Sequence, residues 1–175
     1  MRRRRIGWRA LGLAGLACSL VAAPAFVQMP ALVIWNASAS VPLGLYAVRT
    51  GGALEIGDLA VVAPPPELAE FLAGRGYTGP GVPLIKRVAA LPGQAVCRRA
   101  GLVTIDGVAT ALARERDRTG RPLPAWEGCR TLADGEVFLL NSDEPDSLDG
   151  RYFGPLPRRA VIGRAVPLWT QEAHR

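Results

Sequence analysis

Asn36-Ala-Ser-Ala-Ser-Val-Pro-Leu-Gly-Leu-Tyr46 follows directly on a long apolar segment and opens the part of the chain that reads as a folded domain. Two serines, Ser38 and Ser40, flank an alanine. Pro42 and Gly44 then force a turn, because proline restricts φ and glycine admits backbone angles closed to other residues. Such a turn can lift a hydroxyl clear of a strand, and it serves equally as a plain linker between an apolar segment and a domain. What separates the two readings is whether the chain supplies a base, since a serine hydroxyl is a weak nucleophile until a neighbour takes its proton.

Histidine offers little: the only one, His174, is the penultimate residue, where a positioned base is not expected. Of the 21 basic residues, 20 are arginine and Lys86 is the one lysine. A guanidinium stays protonated at any working pH, whereas an ammonium in apolar surroundings gives up its proton. Lys86 lies in Gly81-Val-Pro-Leu-Ile-Lys-Arg-Val-Ala-Ala-Leu-Pro-Gly93, an apolar run bounded by turn residues, which predicts a strand. Alternation puts Leu84, Lys86 and Val88 on one face and Arg87 on the other. A lysine so placed is either desolvated, with a lowered pKa, or snorkels from a strand edge.

The length of 175 residues suits one domain, and the net charge of +6 is unevenly spread. Arg2, Arg3, Arg4, Arg5 and Arg9 account for most of it; without them 16 basic residues face 15 acidic ones. A domain so nearly neutral has no basic patch for nucleic acid. Residues 1–9 read as a cytoplasmic basic tail and residues 10–35 as a transmembrane helix, with residues 36–175 forming an exported domain. Ala23-Pro-Ala25 also carries the small-x-small pattern of a cleaved signal peptide, which keeps that alternative open. Cys97 and Cys129, well separated in the domain, suggest a disulfide if the compartment is oxidising and are otherwise two unpaired thiols; Cys18 falls in the apolar segment. Their spacing matches no metal motif.

Along the domain, Leu45–Val48, Asp58–Val62, Glu136–Leu140 and Arg159–Trp169 predict further strands. Pro66–Gly74 predicts one short helix, with a proline start, an acidic first turn and a glycine stop. Leu102–Thr110 predicts a hairpin, because Asp106-Gly107 suits a type I′ turn. Arg114–Glu127 is charged and proline-bearing, an excursion that a Cys97–Cys129 bridge would close. The fold class is therefore mainly β, an antiparallel domain with one short helix behind an N-terminal transmembrane helix.

Taken together, three blocks resemble the type I signal peptidases with a Ser/Lys dyad, and most closely their conjugative-transfer, TraF-type branch. They are Ser38–Tyr46, Leu84–Gly93 and Asp146-Ser-Leu-Asp-Gly-Arg-Tyr-Phe-Gly154, with Ile162-Gly-Arg-Ala165 trailing behind. The resemblance implies Ser40 as nucleophile and Lys86 as general base. It also implies the Ser40 N–H and the Ser38 hydroxyl as oxyanion donors, Ser147 as a partner of the lysine amine, and Asp149 with Arg151 as a supporting charged pair. No cofactor and no metal are implied. The expected setting is the bacterial inner membrane, crossed once, with the catalytic domain in the periplasm. There a serine endopeptidase would cut exported precursors such as a pilin-like subunit, with the lipid bilayer as its other partner. Two departures stand out: only Val41 separates Ser40 from Pro42, which leaves Ser38 as a competing nucleophile, and Asn141-Ser-Asp-Glu-Pro145 replaces the Gly-Asp-Asn-Arg of the housekeeping enzymes. A cyclase, in which an amine resolves the acyl-enzyme, shares the same dyad. A non-catalytic docking domain would need neither Lys86 nor the serine pair, and a self-cleaving repressor would need a DNA-binding domain that does not precede the dyad.

The anchor reading predicts that the mature protein has the mass of the uncut chain. A product beginning at Phe26, seen by intact-mass measurement, overturns it.

Overall fold

The computed structural model describes residue 8, residues 12–19 and residues 33–171. By compactness the chain divides into Met1–Ala31 and Leu32–Arg175. Residues 12–19 are helical and exposed, and no described helix is long and apolar enough to cross a membrane. Most of the expected transmembrane segment, residues 10–11 and 20–32, lies outside the described residues, as do the basic tail up to residue 7 and His174.

The second unit is built on a seven-stranded antiparallel sheet. Its strands are β1 (Val33–Asn36), β2 (Leu43–Arg49), β3 (Leu59–Val62), β4 (Leu84–Ala90), β9 (Glu136–Leu139), β10 (Leu156–Pro157) and β11 (Val161–Gln171). Their spatial order is β1-β2-β11-β3-β4-β9-β10. The last strand therefore sits inside the sheet, paired with β2 on one side and β3 on the other. A smaller sheet holds β5 (Ala95–Arg99), β6 (Leu102–Ile105), β7 (Val108–Leu112) and β8 (Gly128–Thr131) in the order β7-β6-β5-β8. Ala90, Val96, Val103, Phe138 and Leu140 form one core cluster that draws on both sheets, so burial of apolar side chains, rather than backbone pairing, joins them.

The hairpin turns as its sequence requires: Asp106 and Gly107 both have positive φ, 49° and 81°, the signature of type I′. The helix α1 spans Pro66–Gly74 and buries Leu72. Two expectations shift. Val33, Ile34 and Trp35, counted with the transmembrane segment, pair with Ala47, Tyr46 and Leu45 as strand β1. Branched and aromatic residues suit a strand as well as an apolar helix, and the turn that follows folds them back on β2. The one helix becomes two, since Gly150–Phe153 forms a further turn, α2, capped by the Asp149 side chain on the Arg151 N–H. Four residues are too few for helical periodicity to register in sequence.

Cys97 and Cys129 face one another across β5 and β8 and are joined as a disulfide, with 32 residues of separation; Cys18 is free and exposed. Closing a loop of that length contributes about 3–4 kcal/mol through the unfolded chain. Thiol labelling of the denatured, unreduced protein should therefore find one reactive cysteine, and reduction should lower the unfolding free energy by about that amount. Three reactive thiols would mean that the bridge is absent.

Candidate active site

The serine turn joins β1 to β2, and a buried asparagine shapes it. Asn36 donates through Nδ2 to the carbonyls of Ser38, Val41 and Pro42 at 2.8, 3.0 and 3.1 Å. Three carbonyls around one atom identify it as the nitrogen. Its Oδ1 then accepts from Ser38 N and from Ser38 Oγ, at 3.2 and 3.0 Å. Tyr46 closes the turn from below, donating its hydroxyl to the Pro42 carbonyl at 2.7 Å. Gly44 answers the tight packing of β11: a Cβ there would stand 2.1 Å from the Trp169 carbonyl oxygen.

The same turn carries Ser40, whose Oγ lies 3.0 Å from Ser38 Oγ. Because the Ser38 proton is committed to Asn36, the Ser40 hydroxyl is the donor of that pair. Ser40 is half-buried and Ser38 exposed.

A second asparagine ties this turn to the lysine strand. Asn141 Nδ2 donates to the Ser40 carbonyl at 2.7 Å, while its Oδ1 accepts from Arg87 N at 2.8 Å. One side chain thus holds the residue after Lys86 and the serine itself. On β4 the alternation places Arg87 outward and Lys86 inward, 6% exposed, and Lys86 Nζ donates to Ser147 Oγ at 2.9 Å. Burial is the main cause that pulls the Lys86 pKa down, to about 8; Asp149 opposes it and Arg151 adds to it.

Ser147 is presented by a loop that Arg151 organises. The Arg151 guanidinium donates to both carboxylate oxygens of Asp149, at 2.9 and 2.8 Å, and to the carbonyls of Asn141, Glu144, Pro145 and Ser147. Asp149 in turn accepts from the backbone N–H of Asn141 at 3.0 Å. Gly150 is required beside it, since a Cβ would meet the Phe138 ring at 2.6 Å and the Leu139 carbonyl at 2.7 Å. The Arg114–Glu127 excursion leans on the same turn: Trp126 Nε1 donates to the Gly150 carbonyl and Arg114 N to the Tyr152 hydroxyl.

Ser38, Ser40, Lys86 and Ser147 line one cleft of about 810 Å³, with Asp149 and Arg151 buried behind it. The hydrogen bonds of Ser40 and Lys86 run to Ser38, Asn141 and Ser147, so the hydroxyl and the amine share the cleft without pairing with each other. Sequence reasoning passed over Asn36 and Asn141. Their signal was position: each is an isolated amide at the edge of a block already singled out.

The profile of the family described as signal peptidase, peptidase S26, matches residues 5–169. The chain is 37% identical over 145 residues to the conjugal transfer protein TraF of Agrobacterium fabrum, covering 77% of this chain and 81% of that one. It is 32% identical over 170 residues to a plasmid transfer protein TraF of Escherichia coli, covering 90% and 93%. With a probable signal peptidase I-1 of Synechocystis it shares 35% identity over 112 residues, 64% of this chain and 53% of that one.

The lowered Lys86 pKa makes a prediction about stability. Between about pH 8 and 10.5 the unfolded chain holds a proton on Lys86 that the folded chain does not, so folding stability rises with pH through that window. Relative to Lys86→Met, which has no such proton, the wild type should gain up to about 3 kcal/mol from pH 7 to pH 10.5 in paired denaturant titrations. A pH-independent difference would show that the amine is solvated.

Proposed function

The chain belongs to the signal peptidase S26 family, in the branch of the conjugal transfer TraF proteins, and we propose that it is a membrane-anchored serine endopeptidase with Ser40 and Lys86 as its dyad. The observation that carries this reading is the single lysine of the chain, buried in a strand beside a serine-lined cleft with its pKa near 8. Most Lys86 side chains are then protonated at neutral pH, with a usable fraction present as free base.

In the reaction, Ser40 Oγ leaves Ser38, turns to Lys86 Nζ and loses its proton to the neutral amine as it attacks the scissile carbonyl. The tetrahedral oxyanion is met by the Ser40 backbone N–H and by the Ser38 hydroxyl, which swings from Asn36 to do so. Lys86, now an ammonium, gives its proton to the departing amine and becomes neutral again. A water then gives its proton to Lys86 and attacks the acyl-enzyme, and collapse of the second intermediate returns the proton to Ser40. Ser147 orients Nζ throughout, alternating between acceptor and donor as the lysine changes charge. Asp149 and Arg151 act through Ser147, as positioning residues.

Residues 10–35, less the strand residues at their end, supply the anchor in this reading, and the domain works at the outer face of the bacterial inner membrane. The relatives are named for conjugal and plasmid transfer, and the substrate in this reading is an exported, pilin-like subunit of such an apparatus. No cofactor takes part.

Cleavage of such a precursor in detergent tests the dyad. Lys86→Arg keeps the charge and cannot keep the base, so cleavage should fall below detection while circular dichroism stays native. Ser40→Ala should be equally inactive and Ser38→Ala slower by about a hundredfold. The wild-type rate should climb with pH through about 8, because the neutral amine is the active form. Near-normal cleavage by folded Lys86→Arg overturns the Ser/Lys mechanism and leaves a docking domain as the reading.

A further inference from the structure

The charge of the domain is gathered in the cleft. Five arginines and Lys86 line it with three carboxylates, an excess of three basic residues, whereas the chain beyond its first nine residues has an excess of only one, 16 basic residues against 15 acidic. The arginines are not equally occupied. Arg121 is held by Asp117 at 2.7 Å and stacks on Tyr77, and Arg75 lies over the Phe71 ring and donates to the Pro122 carbonyl. These two fasten the excursion to the end of α1.

Arg114, Arg116 and Arg118 remain, at successive even positions of the excursion, all exposed. Arg114 and Arg118 share a single carboxylate, Asp146, from opposite oxygens. Arg116 turns back on its own loop, donating to the Gly120 carbonyl at 2.7 Å. Glu144, the remaining acid of the cleft, accepts from Asp146 N. Glu115 is not among the lining residues. A guanidinium presents five donors in a planar fork, so three of them served by one shared carboxylate and one carbonyl have most of their donors open to solvent. Next to Asp146 in the chain, Ser147 holds Lys86 Nζ, so this arginine wall and the amine belong to one cavity.

We propose that Arg114, Arg116 and Arg118 read acidic side chains of the substrate, so that the cleft selects an extended segment with aspartate or glutamate close to the scissile bond. The inference rests on the peptidase reading for the meaning of "scissile" but not for the binding itself. An incoming carboxylate takes the open donors of Arg116 and relieves the sharing at Asp146, giving Arg118 a partner of its own. Because the guanidiniums are exposed, the attraction is screened by salt, and discrimination is strongest where ionic strength is low.

The experiment uses the full chain in detergent, with Ser40→Ala to prevent turnover, and two fluorescent alanine-centred peptides that differ only in carrying aspartates or asparagines on both flanks. The aspartate peptide should bind about tenfold more tightly at about 0.05 M salt and only about twofold more tightly at about 0.5 M. Adding Arg116→Gln and Arg118→Gln should bring the low-salt ratio close to one. Anionic vesicles, offered to the same proteins, separate a lipid-binding rim from a peptide-binding one. Loss of vesicle binding with an unchanged peptide ratio counts against the proposal. No binding of either peptide, a ratio within twofold at low salt, or a ratio that survives the arginine substitutions overturns it. Equal cleavage of both peptides by wild type removes this proposal and leaves the peptidase standing; acid-selective binding without cleavage does the reverse.

Discussion

The Asp149–Arg151 pair is the constraint on which the rest of the site depends. Both side chains are almost wholly withdrawn from water, 0% and 1% exposed, and an ion pair so placed must satisfy every donor locally or cost several kcal/mol. Arg151 does this by spending its N–H groups on the carbonyls of the 141–147 loop as well as on Asp149. The loop is thereby bent around a charge that cannot leave, and Ser147 and Asn141 are delivered at its two ends. One orients the lysine, and the other clamps the serine turn to the lysine strand.

That arrangement also explains why burial governs Lys86. A neighbouring carboxylate would normally hold an ammonium protonated, but Asp149 has Arg151 against it, and the two affect Lys86 in opposite directions. The pair supplies geometry while its two charges oppose one another at Lys86, and desolvation by burial remains the dominant influence. Replacing the pair with apolar residues of like size would keep a core and lose the loop.

Much of this was legible in the sequence. The helix at Pro66–Gly74 and the Asp106-Gly107 hairpin rest on local chemistry, which one segment expresses alone. Lys86 stood out because it is the one lysine beside 20 arginines, and the one histidine, His174, is the penultimate residue. The order of strands was not legible, because placing β11 between β2 and β3 is decided by contacts over more than a hundred residues. Asn141 escaped for the same reason: an amide declares its role through partners, and its side-chain partners come from a distant strand and a still more distant turn. The strand at Val33–Asn36 was hidden by composition, since its residues suit a lipid-spanning helix as well as a sheet edge.

The inner position of β11 has a consequence for the order of events as the chain is made. Ser40 and Asn141 are 101 residues apart, and the sheet that holds both is completed only by the last strand, which ends at Gln171. A chain that stops before Asn141 has the serine and the lysine but neither the clamp nor the closed sheet. The topology therefore acts as a timer: the serine turn, the lysine strand and the clamp share one closed sheet only once the last strand is available to complete it.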